Sequence, residues 1–160
     1  MRKALADFRE LRSAFLLTWS PLRFDWTDLP AMARRVRTGR RVLDRWSCAR
    51  SKQICKGDRL FMLRQGVEPR GIFASGWATS DWYEQANWRG PGYCHYIDLV
   101  YDKLLDPAAN AILPREALHT LGCMHWDTQS SGVRIPVAVA RKLEGIWLSQ
   151  SPSRSTESPA

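Results

Sequence analysis

The sequence contains neither a run of about 20 apolar residues that could span a membrane nor a segment that resembles a signal peptide. It also contains no internal repeat. Its 160 residues are enough for one domain with an adequate hydrophobic core. The apolar share of 44% is ordinary for a globular protein. We therefore expect a single cytoplasmic domain that has no membrane partner.

Metal-ligand spacings are missing as well. The sequence has four cysteines and three histidines but no CxxC and no HxxxH, and its single Cys-x-His pair is Cys123 and His125. Structural zinc sites usually show such short spacings, and cytoplasmic thiols are kept reduced. The sequence therefore predicts buried free thiols, no metal and no cofactor.

No convincing catalytic group is present. Metal-dependent nucleases need convergent carboxylates or a histidine–metal unit. Asp98, Asp102 and Asp106 lie on or after a predicted strand at four-residue spacing, which does not place them on one strand face with a lysine. His125 and Asp127 are the nearest approach to an acid–base pair, although a hydrogen-bonded loop histidine is the simpler interpretation. We expect no enzymatic activity, and a small hydrolase built on this pair is an alternative.

Tryptophan and arginine, in contrast, are abundant. The chain has eight tryptophans and a formal net charge of +8. Arginine together with aromatic side chains suits phosphates and stacked bases, although acidic proteins or an anionic membrane surface would also match this charge. Several arginines fall at the end of a predicted helix, where cations also suit the helix dipole. The phosphate-binding candidates are Arg34, Arg35, Arg37, Arg41, Lys52 and Lys56.

Hydrophobic periodicity predicts a mixed sheet with few helices. Strands are expected at residues 14–19, 41–47, 59–64, 70–79 and 93–101. Helices are expected from a cap at Thr27 or Asp28 to about Thr38, with Pro30 in the first turn, and at residues 115–119 and 136–147, and a long irregular aromatic loop is expected at 81–92. Gly71 and Gly76 indicate a bulge, or the close approach of another backbone or a ligand. About five or six strands with short peripheral helices predict a small, strongly curved mixed β-barrel of the α+β class.

The stretch at 124–136 combines a large aromatic, several small hydrogen-bonding side chains and a glycine. Trp126 offers a flat apolar face, and Gly132 allows close backbone approach or a left-handed turn. The polar side chains between them carry both donors and acceptors. Alone, this stretch is most simply a polar loop with its tryptophan in the core, because pockets are few per protein. The partners that the rest of the chain supplies favour a pocket that sandwiches a planar ring and reads its edge.

Three segments resemble the core of an EVE domain of the PUA-like superfamily, at residues 46–48, 57–66 and 68–76. The resemblance is closest to the EVE modules at the front of HNH endonucleases that attack DNA carrying modified cytosine. It covers about residues 14–148. It therefore implies a PUA-like domain at 14–148, with an appendage at 1–13 and a disordered tail at 149–160.

The resemblance implies a pseudobarrel whose concave face takes a nucleotide flipped out of the duplex, as SRA and YTH domains do. A flipped base needs an aromatic face for stacking and directional groups for its edge. The stacking candidates are Trp46 and Trp126, and the edge-reading candidates are Ser47, Ser75, Thr128, Gln129 and Ser130. The full base-pocket set is Trp19, Ser20, Trp46, Ser47, Ala74, Ser75, Gly76, Trp126, Thr128, Gln129, Ser130 and Ser131.

The chain is therefore expected to read 5-methyl- or 5-hydroxymethylcytosine in double-stranded DNA, within a bacterial restriction or defence system. The nuclease of that family has no counterpart here, because twelve residues follow Leu148 and they hold no His-Asn-His constellation. Either a separately encoded nuclease is a partner, or the chain is a split or truncated form of a longer enzyme. A reader of modified RNA is the alternative function, because PUA-like domains widely serve RNA modification.

Overall fold

The computed structural model describes residues 13–150, in which three helices accompany one mixed sheet of eight strands. The strands are β1 (Ala14–Trp19), β2 (Leu43–Ala49), β3 (Arg59–Arg64), β4 (Gly71–Ala78), β5 (Tyr83–Ala86), β6 (Tyr93–Leu104), β7 (Leu113–Pro114) and β8 (Val133–Ile135). The helices are α1 (Leu29–Arg37), α2 (Arg115–Leu118) and α3 (Val137–Ser149). None of the helices in this part of the chain is long and apolar enough to cross a membrane.

The sheet has the strand order β2-β6-β4-β3-β1-β8, with β5 beside β6 and β7 beside β4. β1 and β3 run parallel, and the other pairs run antiparallel. The sheet is not closed, because β2 and β8 lie at its two ends. Side chains bridge part of the gap between β1 and β2: Trp46 Nε1 donates to Thr18 O at 3.1 Å. This partial closure leaves a concave region at the end of β1.

The strands β1, β3 and β4 are apolar on both faces because both faces are covered. Phe15, Leu60 and Phe73 have no exposed surface, and α3 adds Leu143 and Trp147 to the same core. Fully burying one such side chain contributes about 1.5–3 kcal/mol. The α+β class predicted from the sequence is therefore confirmed, with the helices at the periphery of the sheet.

A buried ionic cluster fastens α3 to the sheet. Arg59 on β3 is 2% exposed and pairs with Glu144 on α3 and, at 3.0 Å, with Asp102 on β6. Ser75 Oγ donates to Asp102 at 2.6 Å and accepts from Trp147 Nε1 at 2.8 Å. Burial alone would lower the pKa of Arg59, but the two carboxylates outweigh it and raise that pKa. The guanidinium therefore stays charged and paired inside the domain.

The region at 81–92 is not the irregular loop predicted from its composition. Residues 83–86 form β5, which pairs with residues 93–96 of β6. β4 pairs with β6 only from Leu99 onward, so the first part of β6 needs another partner for its backbone groups. With β5 and the short strands β7 and β8, the described sheet has eight strands where five or six were expected.

Three further predictions concern the bounds of two strands, the bulge in β4 and the chain ends. β1 and β3 have the predicted bounds, and the predicted bulge lies between Ser75 and Gly76. A Cβ at Gly76 would lie 2.4 Å from Val100 O, so the close neighbour is the backbone of β6 and not a ligand. The predicted appendage at 1–13 and tail at 149–160 fall outside the described residues except at their inner ends, where Ser149 completes α3.

Candidate nucleic-acid interface

A cavity of about 760 Å³ lies where five parts of the chain meet. It is bounded by the end of β1 with the turn after it, most of β2, residues 65–66 after β3, the turn between β5 and β6 with the start of β6, and residues 129–131 of the loop before β8. Cavities of roughly 300–1,000 Å³ hold drug-sized ligands. The cavity is therefore large enough for a nucleobase.

Trp46 forms the aromatic wall of this cavity. Its ring is half-buried, and Trp26 packs behind it with ring centroids 5.0 Å apart. Phe24 meets it edge-on at 5.8 Å. The hydrogen bond from its indole nitrogen to Thr18 O holds the ring in one orientation. Trp46 thus presents a fixed apolar face, which is what stacking a planar ligand requires.

Polar contacts hold the loop at 126–132 against the sheet. Ser131 Oγ donates to Ser47 O at 2.7 Å and accepts from Thr18 N at 3.2 Å. Gln65 Nε2 donates to two carbonyl oxygens of this loop, both at 2.9 Å. Gly132 has the predicted left-handed backbone, with φ of 81°, and a Cβ there would lie 2.6 Å from Cys48 O. Only glycine fits this return of the loop to β2.

Three polar side chains at the cavity have hydrogen-bonding groups that no described residue uses. Gln129 Oε1 accepts a hydrogen bond from Arg23 Nη2 at 2.9 Å, which leaves the two N–H groups of Gln129 Nε2 for a ligand. The hydroxyl groups of Ser20 and Ser130 line the cavity, and neither takes part in a hydrogen bond with another described residue. These groups would suit a ligand edge that carries acceptors.

Four arginines surround the cavity, and no acidic side chain of residues 13–150 lines it. They are Arg23, Arg45, Arg50 and Arg89. All are exposed. The guanidinium of Arg45 lies over the ring of Tyr96 at 4.4 Å. Burial raises the pKa of Tyr96, so its hydroxyl stays protonated and donates to Ala86 O at 2.8 Å while accepting from Trp88 N at 2.9 Å. Tyr96 therefore holds both the β5–β6 turn and the guanidinium of Arg45 at the opening of the cavity.

Seven of the twelve base-pocket residues expected from the sequence line this cavity: Trp19, Ser20, Trp46, Ser47, Gln129, Ser130 and Ser131. The other five lie elsewhere: Ala74, Ser75, Gly76, Trp126 and Thr128. Trp126 is 1% exposed and belongs to the core, so it has no face available to a ligand. Ser75 is 1% exposed and takes part in the ionic cluster below α3. Thr128 is turned to its own loop, where its Oγ1 accepts from Ser130 N.

The six predicted phosphate-binding residues do not line the cavity. Arg34 and Arg35 on α1 line a separate shallow depression of about 550 Å³. The others, Arg37, Arg41, Lys52 and Lys56, are exposed, and Lys52 Nζ lies 5.9 Å from the ring centroid of Trp82. Sequence reasoning missed the four arginines at the cavity, although Arg45 precedes Trp46 and Arg89 follows Trp88. Alternation along a strand predicts Arg45 on the face opposite Trp46, yet both residues line the cavity, where the guanidinium of Arg45 lies over Tyr96.

The groups that could do chemistry are separated. Asp127 binds Arg115 at 2.9 Å and not His125. Within residues 13–150, no group of three or more His, Cys, Asp or Glu side chains could hold a metal ion. All four cysteines are free, and Cys55 and Cys123 are exposed, contrary to the expectation of buried thiols. Cys48 is buried, and burial raises the pKa of its thiol to about 11.

Known proteins resemble this chain in structure but not measurably in sequence. No protein-family profile matches it, and no curated protein matches it. A hypothetical protein from Leishmania major is 14% identical, with a TM-score of 0.57 over 84% of this chain and 93% of its own. Human THYN1 in complex with DNA containing 5-methylcytosine is 11% identical, with a TM-score of 0.55 over 87% of this chain and 99% of its own. A variant ASCH protein from Zymomonas mobilis is 8% identical, with a TM-score of 0.51 over 84% and 99%. The PUA-like fold that the sequence predicted is confirmed by this likeness.

Proposed function

We propose that this chain is a nucleic-acid reader module that takes a flipped, modified cytosine of double-stranded DNA into the cavity beside Trp46. The observation that carries the proposal is the composition of the cavity. It joins one fixed aromatic face, several unused donors and four arginines, without an acidic side chain among its described lining. Each part corresponds to one part of a nucleotide: the base face, the base edge and the phosphates.

Stacking on Trp46 would supply the first part of the affinity. Stacking between a base and an aromatic side chain is worth about 1–3 kcal/mol per base and does not depend strongly on which base it is. Trp46 is suited to this role because its indole N–H is already bonded to Thr18 O. The ring therefore loses little side-chain freedom when a base arrives.

Contacts to the Watson–Crick edge would select cytosine among the bases. Cytosine carries two neighbouring acceptors, O2 and N3, on its Watson–Crick edge, and Gln129 has two N–H donors that Arg23 leaves unused. A base that offers no acceptor there would leave these donors unpaired, which costs about 1–3 kcal/mol for a buried group. The surrounding arginines would hold the phosphates that flank the flipped nucleotide.

The fold supports the same interpretation, because THYN1, with which it is shared, was solved with DNA containing 5-methylcytosine. We infer a relation to the EVE modules that precede HNH endonucleases in bacterial restriction or defence systems, with the nuclease supplied either by a separately encoded partner or by a longer form of this chain. In this arrangement the module recognises modified DNA and performs no reaction. Incubation with modified DNA and magnesium, manganese or zinc should therefore leave the DNA uncut.

The test compares one duplex sequence with cytosine, 5-methylcytosine or 5-hydroxymethylcytosine at a single position, and a structured RNA as the other nucleic acid. Fluorescence anisotropy at fixed salt should show tighter binding to a modified duplex than to the unmodified duplex. Equal affinity for all three duplexes would contradict the proposal. Preferential binding to the RNA would replace it with an RNA reader.

A further inference from the structure

The mouth of the cavity is bordered by exposed apolar side chains. Of the seven exposed large hydrophobic residues among residues 13–150, four line this cavity. Leu22 is 75% exposed and Phe24 39% exposed, and across the mouth Trp88 is 47% and Tyr93 73% exposed. Apolar surface gathered at one place marks an interaction site more often than scattered single residues do. The mouth is therefore a contact surface and not only an entrance.

Leu22 differs from the other three in how the backbone presents it. Ser20 O accepts hydrogen bonds from Arg23 N at 3.0 Å and from Phe24 N at 3.1 Å. Leu22 consequently lies at the tip of a tight turn directly after β1. Phe24 and Trp88, in contrast, contact each other edge-to-face across 6.1 Å. Leu22 is the most exposed of the four, and the hydrogen-bonded turn keeps it projecting.

The charge around the mouth indicates what this leucine would meet. Arg23 follows Leu22 directly, and three further arginines line the same cavity. An apolar protein partner would be poorly matched to such a group of exposed cations, whereas a DNA duplex offers phosphates on its outside and apolar base faces within its stack. The occupant that fits both features is a duplex opened at one position.

We propose that Leu22 enters the duplex as an apolar wedge in the space that the flipped nucleotide vacates. This inference rests on the proposed function. A base that leaves the stack exposes the faces of its neighbours to water, and apolar side chains inserted at such steps are a general means of stabilising an opened duplex. Leu22 is suited because the turn that carries it adjoins Trp19 and Ser20 of the cavity wall. Wedge and pocket would then act on the same nucleotide.

The test measures binding of the unaltered chain, of Leu22→Ala and of Trp88→Ala to a 5-methylcytosine duplex, to the same duplex without the modification, and to the single strand of the same sequence. A single strand has no stacked gap to fill. Leu22→Ala should therefore lose about tenfold in affinity for the duplex and less than about twofold for the single strand. Leu148→Ala is the matched control, because Leu148 is 63% exposed and lies outside the cavity. Thermal unfolding of each variant shows that the domain remains folded.

Three outcomes separate the hypotheses. If the unaltered chain does not prefer modified DNA, the proposed function fails and the wedge fails with it. If it does prefer modified DNA but Leu22→Ala binds the duplex as well as the unaltered chain does, only the wedge is overturned. If Leu22→Ala loses as much affinity for the single strand as for the duplex, Leu22 is part of the pocket rim and not the wedge. The same conclusion follows if Trp88→Ala, and not Leu22→Ala, loses affinity for the duplex alone.

Discussion

At the scale of single residues, the two tryptophans predicted to stack on a base lie in different environments. Trp46 lines the cavity with its ring half-buried. Trp126 is 1% exposed, and its indole N–H has no hydrogen-bond partner among the described residues. The side chain of Trp126 is therefore held by apolar packing in the core, while that of Trp46 is oriented by a hydrogen bond to Thr18 O. The simpler interpretation of the stretch around Trp126, a polar loop with its tryptophan in the core, agrees with this placement.

Alanine substitution should separate the two roles. Trp46→Ala should weaken binding to a modified duplex by about 1–3 kcal/mol and change binding to an unmodified duplex much less, because a base that stays in the duplex stack does not reach Trp46. Trp126→Ala should instead lower the free energy of unfolding by about 3–5 kcal/mol and weaken both duplexes alike. Anisotropy titrations and chemical denaturation measure the two effects. Trp82→Ala is the control, since Trp82 is half-buried outside the cavity. An equal loss on both duplexes for Trp46→Ala would remove its stacking role.

At the scale of elements, α3 is attached to the sheet by the ionic cluster as well as by apolar packing. Arg59 and Glu144 are 2% and 4% exposed at their side chains. Two charges buried together have lost their hydration and depend on each other. Removing Glu144 leaves Asp102 as the remaining carboxylate beside Arg59, so the buried guanidinium is then only partly compensated.

Glu144→Ala should therefore lower the free energy of unfolding by about 3 kcal/mol, the lower end of the range for breaking a buried pair, because Asp102 still lies beside Arg59. Glu144→Gln should cost less, because an amide oxygen can still accept from Arg59. Glu116→Ala is the matched control, since Glu116 is exposed on α2, and it should stay within about 0.5 kcal/mol. Urea denaturation measures all three. A loss for Glu144→Ala no larger than that of the control would mean that apolar packing alone attaches α3.

At the scale of the whole molecule, two groups of arginines are among the 24 lysines and arginines that give the chain its formal net charge of +8. The first group lines the cavity. The second lies on and after α1, where Arg34 and Arg35 border a shallow depression of their own. Both groups would attract a polyanion before any base is read, because phosphate contacts position a duplex without regard to its sequence.

Reversing the charge of the second group, with Arg34, Arg35, Arg37 and Arg41 changed to glutamate, should weaken binding to every duplex alike. The slope of log affinity against log salt should flatten by about 0.9 for each phosphate that the protein no longer neutralises. The corresponding changes at Arg50 and Arg89 of the cavity should flatten the slope as well and, in addition, reduce the preference for modified DNA. An unchanged slope after charge reversal of the second group would show that its arginines only form a solvated helix end.

The fold was more predictable than the site. β1 and β3 were predicted with their observed bounds because a strand buried on both faces is apolar throughout, which is visible locally. β5 was not predictable, because its four residues are largely exposed and become a strand only by pairing with β6. The PUA-like class followed from the ordered series of motifs, whereas the number of strands depended on these short additions.

What the sequence alone determined is local: the apolar strands, the positive charge, and the left-handed glycine of the loop before β8. Tertiary structure alone decided which residues meet. Arg23, Arg45, Arg50 and Arg89 come from three separate parts of the chain, and they surround one cavity only because β1, β2 and the β5–β6 turn converge. It also decided that Trp46 faces the cavity while Trp126 faces the core. The direction of a side chain depends on contacts between residues far apart in sequence, and these contacts cannot be predicted from composition.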